Sequence, residues 1–490
     1  MALNELVQVP SATNILLLLA VYWVVWIVYC RTLHPLALYR MFLGDFEVAQ
    51  RELHEQYGPL IRIAPNEVSS SDPDAISLIY TTQKPLTKTD WYVSFRPRGI
   101  SEHADLFTET DEEKHAKYRR IVQPAYQMVS VLKHQGAIDD CTNLLKMRLD
   151  KFAKANEEVD LGLWLELFAH DVIGHILFGQ SFGFLEKGTH VDSFIESVHN
   201  AAPLLGVITA APTYMRSIIM LAAMCVPSTL KQFKAVQATV VEAKRQTQLQ
   251  LQRSAEADDQ SQDILSQLLR KVGQKDSEAW FTHKEVTLES WAGIMAGADS
   301  VAINLRAVLY YLMRTPHAMS KATQELQTQQ HLLSTPVSFA ESTKHLPYIS
   351  ACIKEASRLF PSTGFNMSRI APAQGVTLSG VYIPAGYHVG VNPQTVQYDK
   401  KLFGEDALEF RPERWLESEA RKLEMERGML LFGAGTRTCI GKNVALAEIH
   451  KLIPELLRCF DMHMAHDRPW RTWNAGFVRQ SDVIVRLAVR

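Results

Sequence analysis

One cysteine in a glycine-rich loop carries the most specific chemistry in this chain. From Leu431 to Leu446 the sequence runs Leu-Phe-Gly-Ala-Gly-Thr-Arg-Thr-Cys-Ile-Gly-Lys-Asn-Val-Ala-Leu, which sets Cys439 among Gly433, Gly435 and Gly441 at the head of a helical pattern. Glycine lets a backbone turn tightly or lie flat against a large planar ligand. A thiol at a helix start is drawn toward thiolate by the positive end of the macrodipole and the unpaired N–H groups there. Cys439 is thus placed to be an anionic ligand, and Arg437 adds a cation that could pair with a carboxylate of the bound group. Taken alone, a cysteine is more simply a buried small hydrophobe.

The pattern as a whole decides between those readings. Phe432, Gly435, Arg437, Cys439 and Gly441 fill specified positions within one short window, and together they resemble the haem-thiolate loop of the cytochrome P-450 family. The resemblance makes Cys439 the expected ligand of the iron of haem b, with Phe432 and Gly441 beside the cofactor and Arg437 on a propionate. A thiolate pushes electron density onto haem iron and favours O–O cleavage, which is monooxygenase chemistry. It further implies O2 as co-substrate, electrons from NADPH through a flavoprotein reductase, and an apolar small-molecule substrate.

Other stretches resemble the same family, in the family's order. Ala296-Gly297-Ala298-Asp299-Ser300 is similar to the oxygen-binding groove of its long central helix. There the small residues would let the helix approach the porphyrin, Asp299 would relay protons, and the Ser300 hydroxyl would donate a hydrogen bond during oxygen activation. Threonine is the family's usual residue where Ser300 stands; a helix-packing motif is the plainer alternative. His115 to Arg120 resembles the C helix, in which an aromatic residue and an arginine four positions on share a face and contact a propionate. His115 stands where tryptophan is common, and Arg119 is the arginine. Lys117 and Arg120 read as a solvated basic face and, with Lys442, are expected on the side that meets the reductase. Glu355 and Arg358 form the E-x-x-R pair, and Phe410 to Trp415 would supply the arginine of a buried structural triad. Arg369 is expected on a propionate, with Thr363 to Met367 lining the pocket.

Length and charge set the frame. At 490 residues the chain exceeds the usual single-domain range, but the resemblance implies one large, mainly α unit with a small β region. Hydrophobic residues make up 47%, enough for a deep core, and a net charge of −2 offers no case for nucleic acid. The six cysteines show neither zinc-type pairs nor the C-x-x-C-H spacing of covalently attached haem.

Ile15 to Cys30 is an unbroken apolar run, and its extension from Ala12 to Leu33 holds a single charge, Arg31, over 22 residues. That length spans a bilayer. The preceding segment carries only Glu5 and no small-residue cleavage site follows, so an uncleaved anchor is expected rather than a signal peptide. Arg31, His34 and Arg40 after the run place the catalytic body in the cytosol by the positive-inside rule. The expected organisation is an anchor over 1–33 and a haem domain over 34–490, in the endoplasmic reticulum membrane and touching its lipid. The proline- and glycine-rich hinge of microsomal members is shortened here to His34-Pro35-Leu36.

Hydrophobic periodicity predicts the positioning elements: helices over Asp45 to Tyr57, Asp111 to Lys133, Phe152 to Leu185, Gln232 to Arg253, Thr287 to Arg314 and Leu346 to Phe360, and a strand over Leu60 to Val68. Ala292, Ala296, Asp299, Ser300 and Ile303 are expected on one helix face. Ser379-Gly380 and Pro384-Ala385-Gly386 mark a hairpin between Gly375 and Asn392. Ala201 to Val226 reads as an apolar pocket roof that also touches lipid, and Ser254 to Gln262 as an exposed linker. The wording around His115 and from Pro361 to Arg369 looks most like filamentous-fungal enzymes of specialised metabolism. Two alternatives remain open at this point: a haem-thiolate isomerase or dehydratase acting on a peroxide, and a non-catalytic haem protein. Neither would need Asp299-Ser300.

Overall fold

The computed structural model of the chain describes residues 17–24, 43–189, 206, 208–209, 211, 213–256, 261–274 and 278–490. Within the expected anchor, residues 17–24 are helical with every side chain exposed; the rest of the run and the Arg31, His34 and Arg40 flank lie outside the described residues. So do part of the expected pocket roof and residues 257–260 of the expected linker, whose first three residues are instead helical.

The body is mainly helical. Helix α1 (Phe46–Tyr57) leads into a hairpin, β1 (Leu60–Ala64) and β2 (Glu67–Ser70), because Pro65-Asn66 turns the chain where a single strand was expected. Asp111 caps α2 (Glu112–Val122), its carboxylate accepting from the N–H groups of Glu113 and Lys114 at 2.9 and 3.1 Å. Pro124 then lies in a short 3-10 turn, so α2 ends well before Lys133. The helix expected over Phe152 to Leu185 is instead two: α3 (Gln135–Ala155) closes on Asn156 in the left-handed conformation, and α4 (Leu161–Phe178) starts after strand β3 (Val159–Asp160). Next come α5 (Thr213–Met224) and α6 (Pro227–Glu256).

A Thr282–Glu285 capping box starts α7 (His283–Gly297). A break at Ala298, with φ −91° and ψ −52°, separates it from α8 (Asp299–Arg314), which stops at Thr315 before Pro316. Helix α9 (Pro347–Leu359) carries the E-x-x-R pair, and α10 (Lys442–Cys459) follows the cysteine loop. Helices α4 and α7–α8 are long and apolar enough to cross a membrane, but they are mostly buried within the fold. Leu165, Phe168, Val172 and Ile176 of α4 and Leu305, Val308 and Leu312 of α8 are wholly buried in the same core.

Among the described residues, four small sheets flank the helices. β1 and β2 are antiparallel, β2 runs parallel to β7 (His388–Val391), and β7 pairs with β4 (Arg369–Ile370). The expected hairpin forms from β5 (Val376–Leu378) and β6 (Val381–Ile383), turning through Ser379 and Gly380 at positive φ. β9 (Arg471–Asn474) and β10 (Val478–Ser481) form another, while β11 (Ile484–Val489) joins β3 to β8 (Phe460–Met464).

The triad is Glu355, Arg358 and Arg414. Glu355 accepts from Nε of Arg358 at 2.9 Å, Nε of Arg414 at 2.9 Å and Nε1 of Trp415 at 2.9 Å, while Arg358 also donates to the carbonyls of Gln397 and Ala407. Removed from water but saturated with hydrogen bonds, these charges meet the condition under which burial is tolerated. They fix α9 to the segment leading into the cysteine loop.

Candidate active site

The cysteine loop is held by backbone bonds that only glycine permits. Gly433 and Gly435 adopt φ of +67° and +66°, and a Cβ on Gly435 would overlap the carbonyl oxygen of Tyr80. The Cys439 N–H donates to the Phe432 carbonyl at 2.7 Å, and the Thr438 carbonyl accepts from Nη1 of Arg119 at 2.7 Å. Cys439 thereby faces a cavity of about 450 Å3, its exposed surface turned into that cavity. Burial raises the thiol above its ordinary range, against the lowering pull of the Gly441 and Lys442 N–H groups and of the Arg119 and Lys442 charges. The helix-start effect expected from sequence is therefore present but outweighed by desolvation. A metal cation at the sulfur would reverse the balance, since a coordinating thiol is deprotonated.

Cations gather at one side of the cavity. Arg369 is buried, donating to the Tyr92 hydroxyl at 3.0 Å and stacking on Tyr80 and Tyr92. Arg437 holds Glu112 through three bonds of 2.7 to 3.1 Å, so its fork is already shared with a carboxylate of the chain itself. Along α2, Glu112, His115 and Arg119 fall within two turns of one another. Burial first, then Arg437, Lys88, Arg119 and Arg369, pushes His115 down to about 2, so its imidazole is neutral. Lys88 was missed by sequence reading. It is 5% exposed, its Nζ donates to the Phe107 carbonyl at 2.6 Å, and burial with the charges of Arg369 and Arg437 lowers it well below a normal lysine.

Such convergence of buried cations beside a thiol and an apolar cavity fits a flat group carrying two carboxylates. The residues present therefore fit haem: Cys439 for the iron, and Lys88, Arg119 and Arg369, with Arg437 shared, for the propionates. Phe432 lies over the loop with Lys442 Nζ 5.7 Å from its ring, and Gly441 caps α10.

Across the cavity, Asp299 and Ser300 open α8. Ser300 Oγ donates to the Ala296 carbonyl at 2.8 Å, and Asp299 Oδ1 lies 3.9 Å from Nη2 of Arg479. Ala292, Ala296, Asp299 and Ser300 line the cavity, but Ile303 is wholly buried in the core and does not share that face. Gly297, expected among the small residues that let the helix approach the porphyrin, lines the cavity; a Cβ on it would also lie 2.8 Å from Ile173, and one on Gly293 2.6 Å from Leu177, so both glycines seat α7 on α4 as well.

Thr363, Phe365 and Met367 line the cavity as expected, while Asn366 turns away to hydrogen-bond Glu67 and Ser368. Trp91, Tyr92, Phe95 and Phe107 pack around Phe365 into an aromatic wall, with Trp91 and Phe365 centroids 4.4 Å apart. Glu289 and Arg479 also face the cavity; no motif in the sequence marked either.

Known proteins resolve what this arrangement is. A family profile described as cytochrome P450 matches residues 31–484. The cytochrome P450 monooxygenase gsfF of Penicillium aethiopicum is 37% identical over 96% of each chain. The monooxygenase ACRTS1 of Alternaria alternata is 40% identical over 76% of this chain and 99% of its own, and pisatin demethylase of Fusarium vanettenii is 30% identical over 89% and 84%. The chain belongs to the cytochrome P450 family. It is an oxidoreductase, a haem monooxygenase of the kind found in fungal secondary-metabolite pathways. The family uses haem iron and dioxygen, takes electrons from a redox partner and acts on small molecules.

Proposed function

We propose that this enzyme inserts one oxygen atom from O2 into an apolar small molecule of specialised metabolism, by hydroxylation or epoxidation. NADPH would supply the electrons through a flavoprotein reductase. The carrying observation is that one cavity joins Cys439, the cation cluster, the Asp299–Ser300 pair and an apolar aromatic wall. When bound, haem b supplies the iron at which dioxygen is reduced and split. The chain's own residues do the rest. Cys439 would ligate the iron, Arg119, Arg369, Arg437, Lys88 and neutral His115 would receive the propionates, and Phe432 and Gly441 would shape the loop beside the cofactor. Asp299 carries protons into the cavity and Ser300 holds a donor beside them. Trp91, Phe95 and Phe365 exclude water and orient the substrate.

Residues 1–33 would anchor the enzyme in the endoplasmic reticulum membrane, with 34–490 as the catalytic domain in the cytosol. The apolar run from Ile15 to Cys30 and the exposed helix at 17–24 support that placement. Lys117, Arg120 and Lys442 would steer an acidic reductase, although Lys117 pairs with Glu113 at 3.1 Å.

The test is spectroscopic. Reduced enzyme under carbon monoxide should show the red-shifted Soret band of thiolate ligation, and Cys439→Ala should lose it. Retention of that band in the alanine variant would remove Cys439 from the iron. A binding-spectrum screen of apolar metabolites then identifies the substrate.

A further inference from the structure

Asn304 is a carboxamide inside α8, in a stretch whose other members are core. Ile303, Leu305 and Val308 are wholly buried beside it, and Asn304 itself is 3% exposed, yet it lines the cavity one helical turn beyond Ser300. Asparagine is a poor helix former and an amide out of water needs partners, so packing alone gives no reason for it there. Only part of its hydrogen-bonding capacity is met. Nδ2 donates to Ser357 Oγ of α9 at 2.8 Å, while Oδ1 has no partner among the described residues.

Ser357 decides which end of the amide is which. Its Oγ donates its one proton to the Ile353 carbonyl at 2.7 Å, so toward Asn304 it can only accept. A flipped amide would set Oδ1 against the lone pairs of Oγ. Nδ2 therefore stays on Ser357, and Oδ1 is the end left for a partner. Ser357 is itself held, because Gln397 Nε2 donates to its carbonyl at 3.1 Å and the adjacent Arg358 belongs to the buried triad. The neighbouring amide of Gln480 is committed to the Ile303 carbonyl at 2.9 Å. The wall thus presents a fixed acceptor and calls for a donor. An ammonium would need a compensating charge that Asn304 lacks, which leaves a neutral O–H.

We propose that Asn304 is a specificity-determining residue: its Oδ1 accepts a hydrogen bond from a hydroxyl of the substrate, so the enzyme acts on an apolar alcohol or phenol. Side chains four positions apart on a helix have Cβ atoms ~5–6 Å apart. The bound hydroxyl therefore lies close to Ser300, and the carbon oxidised is a near neighbour of a hydroxyl the substrate already carries. This rests on the reading of the cavity as the place where an apolar molecule is oxidised.

The experiment uses the haem-loaded full chain and three probes of one shape: cymene, thymol and thymol methyl ether. Displacement of imidazole from the ferric iron, followed in the Soret band, gives the dissociation constant of each. The parent should bind thymol at least about threefold more tightly than the ether, which has no proton to donate, a ratio within the worth of one hydrogen bond. Asn304→Leu removes the acceptor at similar size, and it should lower the preference for thymol over both cymene and the ether by at least about threefold. Asn304→Asp should keep the preference, since a buried carboxyl stays protonated, donates to Ser357 and leaves an oxygen for the ligand. A parent without the preference, equal ratios in the parent and the leucine variant, or a loss as large in Asn304→Asp overturns the proposal and leaves Oδ1 to a water. Should the leucine variant fail to load haem, Asn304→Ala carries the same comparison, because a general loosening of the cavity shifts all three probes together; unchanged ratios there overturn the proposal as well. Failure of the underlying reading looks different. A reduced carbon monoxide complex without the thiolate band, or a parent that binds none of the probes, removes the oxidation of apolar molecules itself and the role of Asn304 with it.

Discussion

Lys88 is held where an ammonium gains least, among guanidiniums and out of water. Two propionates would give it the partners that burial otherwise denies. Lys88→Ala should therefore weaken haem retention by about 2 kcal/mol, the cost of truncating one side of a buried charge pair. Haem transfer to apomyoglobin measures this, and an unchanged transfer rate would remove Lys88 from the propionate site. Glu289 makes the opposite case. Burial and the charge of Asp105 raise it to about 8, while Tyr118 and the Leu106 N–H pull it down. The folded protein thus keeps a proton that the unfolded chain releases near the ordinary 4.5. Stability from this group is full below that pH and is lost as pH rises through about 8. Between those limits the parent should lose several degrees of melting temperature that Glu289→Gln keeps. Parallel profiles would show that Glu289 is not the group responsible. Neither residue could be recognised in the sequence, because each gains its character from neighbours brought in by other elements.

Elements whose ends are written locally were legible. Asp111 and Pro316 mark helix boundaries and Ser379-Gly380 turns the predicted hairpin, whereas the Thr282–Glu285 box starts α7 ahead of the expected Thr287. The cysteine loop was legible for the same reason: its glycines, arginine and thiol sit in one window. The reading failed where apolar runs continued across a break. Asn156 takes a left-handed conformation between α3 and α4, and Ala298, directly after Gly297, interrupts the central helix without a proline. Gly297 was expected beside the cofactor, but the contact that it and Gly293 make with α4 was not legible. Gly293→Val should consequently cost about 1–3 kcal/mol by overpacking against Leu177, read as thermal unfolding of the haem-loaded enzyme. Adding Leu177→Ala should return part of the loss. No recovery in the pair would place the strain elsewhere.

At the scale of the whole molecule, the site is assembled from distant parts of the chain. Arg119 bonds Thr438 across 319 positions, Arg437 bonds Glu112 across 325, and Asn474 reaches Glu47 across 427. The triad likewise joins Glu355 to Arg414. Such separations explain why the residue types of the pocket could be expected from resemblance while the pairings of Arg437 and Asp299 could not.

The hairpin of β9 and β10 also sets a clock. A ribosome adding 5–20 residues per second makes Lys88 roughly 20–80 s before it makes Arg479. Through that interval Ala475, Gly476 and Phe477, which line the cavity at the turn between β9 and β10, do not yet exist, so the cofactor can be clasped only after the hairpin has been synthesised. Nascent chains stalled before Arg471 should therefore fail to retain radiolabelled haem, and chains released after Val489 should hold it. Retention by the stalled chains would mean that the earlier helices suffice to capture the cofactor during synthesis.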